Sequence, residues 1–181
     1  SVEGSLRWSW ELLSEPGRQA LAEWSVFEGS FDLSGAEAVF GGDRWALEVL
    51  EELVDASFVR VSPEDARFSM LVMVQQFAAR KLAGAERLAA EARHGAYFAQ
   101  FGSVEALMTL LGPSGPERIW VLVGELENLI TACTRALTRR DSAVATATAL
   151  AAWEVYHIRG PSTAGVALVQ AVEERLDLSL R

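Results

Sequence analysis

The chain has 181 residues, half of them hydrophobic and 23% charged, a globular balance that excludes disordered, collagen-like and disulfide-scaffold classes. Its one cysteine, Cys133, rules out an intrachain disulfide, and no apolar run reaches the ~20 residues of a membrane span. The net charge is -9, with 14 acids against 7 bases in residues 1–83, so nucleic acid and anionic membrane are repelled at long range. A reducing, cytoplasmic setting fits the cysteine usage and the absence of a visible signal peptide. Ser1 is not an initiator methionine, so the numbering is expected to begin inside a longer protein.

Leu6, Trp8, Trp10, Leu12 and Leu13 predict a short apolar helix over 6–13. Ser14 offers an N-cap, and Pro16 sits in the first turn of a second helix running to Trp24. Ser25 to Phe27 is β-prone, and Gly29 marks a turn. Asp32 caps a third helix, Leu33 to Phe40, stopped by Gly41-Gly42. A fourth runs from Trp45 to Ala56, with Leu47, Leu50, Leu53 and Val54 at helical spacing. Phe58 to Val61 and Arg67 to Met70 flank a Pro63-containing bend and predict a β-hairpin. Helices followed by a hairpin of this size suggest a winged helix-turn-helix over 1–83, with the hairpin as its wing.

The pattern over 84–181 is helical. Leu71, Val74, Phe77, Ala78 and Leu82 lead into it as one stripe, and Leu88, Ala92 and Phe98 lie on the next helix. Residues 112–116 form a Gly-Pro loop. A long helix follows, with Ile119, Leu122, Val123, Leu126, Ile130, Cys133 and Leu137 on one face. After a turn at Arg139 to Asp141 come helices from Val144 to Arg159 and from Ala164 to Leu176, parted by Gly160-Pro161. The predicted fold class is therefore mainly α: a winged helix with one small hairpin, then antiparallel helical hairpins of the tetratricopeptide type.

The motifs of chemistry are missing. No G-x-x-x-x-G-K-[ST] occurs, and the lone lysine, Lys81, follows Arg80. His94 and His157 have no second His or Cys at metal-ligand spacing. No nucleophile motif is present. Cys133 lies on an apolar stripe and reads as a buried structural thiol, and His94 as a packing residue. The tryptophans at 8, 10, 24, 45, 120 and 153 read as core and inter-helix packing. Glu11 and Glu15, like Glu51, Glu52 and Asp55, read as solvated acidic faces. No catalytic, metal or cofactor-binding residue is assigned. The helix before the wing carries Glu48, Glu51, Glu52 and Asp55 with no Lys or Arg, so DNA binding by that helix is not expected.

The stretch Leu12-Leu13-Ser14-Glu15-Pro16, Ala20-Leu21, Trp24 to Leu33 and Ala36 to Val39 resembles the start of the winged-helix domain in bacterial STAND-class signal-transduction ATPases. Leu53-Val54-Asp55, Ser57 to Val61, Arg67-Phe68, Met70-Leu71 and Gln76 to Ala79 are similar to its next helix, wing and following helix. Arg93-His94 with Ala96 to Phe98 resembles the linker helix. Glu125, Asn128-Leu129 and Ala132 resemble the family's E-x-x-N-L-x-x-A. Trp153, Arg159-Gly160 and Gly165 look like the first helical repeat of its sensor region. The resemblance implies an ATPase core outside this chain, so ATP would bind elsewhere. In several relatives a Met-His-Asp motif follows the wing, and its histidine touches phosphate. Met70 fits its first position, but Leu71 and Val72 stand where the His and Asp would be, and neither can donate a hydrogen bond to phosphate. Ala164 likewise replaces an expected Glu.

The expectation is a non-enzymatic regulatory module. Its partners would be the parent's own ATPase core, further helical repeats, and a protein or effector on the helical array. Val166, Val169, Val172 and Leu176 are expected to form an exposed apolar strip open to dimerisation. The alternative is a DNA-binding winged-helix transcriptional regulator.

Overall fold

The computed structural model describes residues 2–177. They are mainly helical with one small antiparallel sheet, and among them no helix is long and apolar enough to cross a membrane. The chain divides into two compact units, Ser1–His94 and Gly95–Arg181. The division lies within helix α6 (Gly84–Ala99).

In the first unit, α1 (Val2–Leu12) leads to α2 (Glu15–Trp24). The Ser14 hydroxyl accepts the Gly17 N–H at 3.0 Å, as an N-cap does. Strand β1 (Ser30–Phe31) precedes α3 (Leu33–Val39), which is capped by Asp32 accepting the Gly35 N–H at 2.7 Å. Then come α4 (Ala46–Asp55), β2 (Arg60–Val61), β3 (Phe68–Ser69) and α5 (Val72–Ala79). The sheet order is β1-β3-β2, all antiparallel, with Phe31 opposite Phe68 and Val61 opposite Phe68 on its other side. The third strand corrects the sequence reading. The β-prone Ser25 to Phe27 is a helical turn instead, its N–H groups bonded back to Ala22, Glu23 and Trp24. The strand falls after Gly29, whose φ of 72° makes the reversal. Arg67 fastens the hairpin to β1 through the Ser30 hydroxyl (2.8 Å) and carbonyl (2.9 Å).

The core of this unit is aromatic and aliphatic. Trp24, Leu21, Phe27, Phe31, Leu50 and Leu53 are fully buried, with Phe27 stacked on Phe31 at 4.4 Å. Trp24 also donates its indole N–H to the Ala36 carbonyl at 2.9 Å, which satisfies its polar edge inside the core. The C-terminal part of α6 is held by two adjacent residues. Arg93 pairs with buried Glu23 at 3.2 Å and donates to the Val39 carbonyl at 2.6 Å. His94 is buried and edge-on to Phe27 at 5.3 Å.

The second unit contains α7 (Val104–Met108), α8 (Gly115–Arg139), α9 (Ser142–Arg159) and α10 (Ser162–Asp177). Two-residue connections join the last three, and α9 packs against both neighbours, which makes two antiparallel hairpins. Arg140 ends α8 in the left-handed conformation, and Asp141 caps α9 by accepting the Val144 N–H at 3.2 Å. The core joins Cys133, Ala136, Ala145, Ala149 and Val172. These are mostly small side chains, so the helices approach closely. A Cβ on Gly102 would overlap the Ala147 carbonyl, and one on Gly165 would meet the Trp153 and Tyr156 side chains.

Several stripes read from sequence are shifted. On α8 only Leu122 and Cys133 of the expected seven are buried, and the other five lie half-buried on its flanks. The buried line is Glu125, Asn128, Leu129 and Ala132, at i, i+3, i+4 and i+7. Asn128 donates to Glu125 at 3.2 Å, a polar pair that a hydrophobic search passes over. On α6, Leu88 and Ala92 face out, and Ala90 and His94 face in. On α10, Val172 is buried with the α8–α9 core, which removes it from the expected exposed strip. Val166 is exposed and Val169 half-buried, and the side chain of Leu176 lies outside the described residues.

Candidate interaction face

Helix α4 divides its surface three ways. Ala46, Val49, Leu50 and Leu53 are buried in the first unit. Glu52, on one flank, is tied to the start of α2. Its carboxylate accepts the Ser14 N–H at 2.8 Å, the Ser14 hydroxyl at 2.7 Å and an Arg44 N–H at 3.1 Å. Burial alone would raise the Glu52 pKa, but the Ser14 and Arg44 donors outweigh it and hold the carboxyl below its usual range. Glu52 is therefore no member of a solvated acidic face, which corrects the sequence reading. The cause is the Ser14 cap 38 residues away in the chain.

The third side of α4 faces outward and is both apolar and acidic. Leu47 is 43% exposed although it shares the helical spacing of buried Leu50 and Leu53, and Glu48, Glu51 and Asp55 share its face. Just before the helix, Trp45 is 77% exposed. Two grooves flank this face. One, of about 310 Å³, lies between α4 and the β2–β3 hairpin, with Leu47, Val54, Val61 and Phe68 as its apolar walls and Glu51 and Asp55 on its lining. The other, of about 450 Å³, lies between α3 and the start of α4, with Leu33, Phe40, Trp45 and Leu47 as walls and both Glu37 and Arg44 on its lining. Leu47 belongs to both. Arg44 is engaged by Glu48 at 3.3 Å and by Glu52, so it does not neutralise the other acids. Among the described residues no cation pairs with Glu37, Glu51 or Asp55.

The remaining sequence-selected residues do not gather at this face. Leu71 is the residue before α5 and Val72 its first residue, and both are exposed. Cys133 is buried, with its thiol on the Ala145 carbonyl at 3.5 Å. Burial pushes that thiol's pKa up, partly offset by Thr148. Glu15 is exposed and pairs with Arg18 at 2.8 Å. His157 is exposed and stacks on Trp153 at 5.9 Å. Among the described residues no three His, Cys, Asp or Glu side chains form a metal-binding group. The expectation that all six tryptophans pack inside is corrected. Trp24 is buried, but Trp8, Trp45 and Trp120 are 65%, 77% and 60% exposed. Trp120 instead carries the Arg159 guanidinium over its ring at 4.3 Å. Helical spacing put Leu47 on one stripe with Leu50, Leu53 and Val54, but a four-residue stripe cannot say how wide the covering core is. The meeting of Leu47 with Val61 and Phe68 of the hairpin needed the tertiary fold.

Similar stretches occur in uncharacterized proteins of Mycobacterium bovis and of two Mycobacterium tuberculosis strains. Each is 40% identical to this chain over 85 residues, which is 43% of this chain and 22% of the relative. The match thus spans about a fifth of those proteins' length. No family model matches the chain, and no solved structure matches it.

Proposed function

We propose that this chain is a non-catalytic regulatory segment of a cytoplasmic STAND-type ATPase regulator, a winged helix followed by tetratricopeptide-like hairpins. In this reading the first unit meets the parent's ATPase core and passes its nucleotide state to the helical array, which binds a protein or effector. The three-stranded sheet beside α4, and two antiparallel hairpins with short connections, are compatible with those two architectures. The side chains of Leu71 and Val72 offer no hydrogen-bond donor to phosphate, and on this reading nucleotide is held elsewhere.

The observation that carries the reading is the outward face of α4. A helix entering the major groove needs donors and cations there. This one offers Leu47, Glu48, Glu51 and Asp55. Such a face repels phosphate and suits polypeptide. The test is an anisotropy titration with mixed-sequence duplex DNA at low salt, run beside an ATP-turnover assay. Neither binding nor turnover is expected. Tight binding with a steep salt slope would install the DNA-binding alternative, and turnover would make the chain an enzyme.

A further inference from the structure

We infer that the two grooves flanking Leu47 form one docking site for a basic amphipathic helix of a partner protein. The inference rests on the proposal above that α4 meets polypeptide, and it names the kind of polypeptide.

The shape argues for a helix. Two apolar depressions share Leu47 as their divider, so a single segment filling both must present two bulky side chains in succession. Residues at i and i+4, or i and i+7, of a helix do this. An extended segment would instead need main-chain partners. The adjoining edge strand, β2, has only two residues to offer. Trp45 gives the site a large rigid anchor at one end, the residue type that dominates binding energy at interfaces.

The charge argues for Lys and Arg on the docking helix. Covering the apolar walls brings the occupant against Glu51, Asp55 and Glu37, with which no cation pairs among the described residues, and against one cation, Arg44, already engaged by Glu48 and Glu52. An apolar or acidic occupant would desolvate or repel those carboxylates, whereas Lys and Arg at its margins would pair with them. A second copy of the same face is a poor occupant, because it would set these acids against one another in a molecule already at -9.

The test uses two labelled helical peptides with the same leucine pattern, one with lysines and one with glutamates at the remaining positions. They are titrated against the protein, against Glu51→Lys/Asp55→Lys, against Leu47→Ser, and against Glu86→Lys on α6 as a control. All substituted side chains are exposed, and circular dichroism checks that each variant is folded. The Leu/Lys peptide is expected to bind the unmodified protein and the control alike. It should lose at least about tenfold in affinity with the α4 charge reversal, and several-fold with Leu47→Ser. The Leu/Glu peptide should bind only the charge-reversed variant. Absence of binding overturns the inference. So does equal weakening by the control, which would mean generic attraction to an acidic protein, or self-association broken by the α4 variant, which would make a second copy the occupant. Any of these, alongside null DNA and ATP assays, removes this inference and leaves the proposed function standing.

Discussion

Ser14 does two jobs with one hydroxyl. It caps α2 by accepting the Gly17 N–H and donates to Glu52 on α4. Ser14→Ala should therefore destabilise the fold by about 1–2 kcal/mol, measured by urea unfolding. Glu52→Gln tests the charge. Because the folded pKa of Glu52 is depressed, its ionised form stabilises the protein at neutral pH. That contribution is lost as pH falls through the folded value. The variant should be less stable than the parent at neutral pH, and the gap should close on acidification; a gap independent of pH would mean that charge plays no part. Cys133 makes the contrasting case. With its thiol buried and its pKa raised, alkylation of the native protein should be slow and should rise with denaturant in step with unfolding. Rapid labelling of native protein would show an open second unit.

At the scale of the element, α4 and α2 show what a tryptophan's position means. Trp24 ends α2 with its ring wholly enclosed and its N–H bonded to Ala36. Trp24→Ala should cost about 3–5 kcal/mol or prevent folding. Trp45 stands before α4 in solvent, so Trp45→Ala should change stability by less than about 0.5 kcal/mol. Comparable losses at the two sites, read by thermal unfolding, would mean that Trp45 is covered in solution. Helix boundaries were legible to within a few residues, because Ser14, Asp32, Gly41-Gly42 and Gly160-Pro161 act on the backbone locally. Which residue of a helix faces inward was less so. On α8 the buried line carries Glu125 and Asn128, and its small Ala132 contributes close approach instead of bulk. Strand β1 was missed because two residues beside a fixed β3 need little propensity of their own once the hairpin provides the pairing edge.

For the whole molecule, charge of one sign dominates. Most of the -9 lies in the first half, and among the described residues Glu37, Glu51 and Asp55 have no cation opposite. Raising salt should screen that repulsion and increase the thermal midpoint, most for the first unit. A fall with salt, seen by calorimetry, would mean that its ion pairs outweigh the repulsion. Length, composition, caps and breakers determined by themselves a mainly helical chain with one hairpin and an acidic first half. These follow from interactions within a turn or two of the backbone, or from simple sums of charge. The tertiary structure alone decided that Glu52 belongs to a clip with Ser14, that Trp45 stands outside the core, and that Leu47 lies between two grooves. Those outcomes depend on which distant segments arrive beside α4, and no local spacing carries that information.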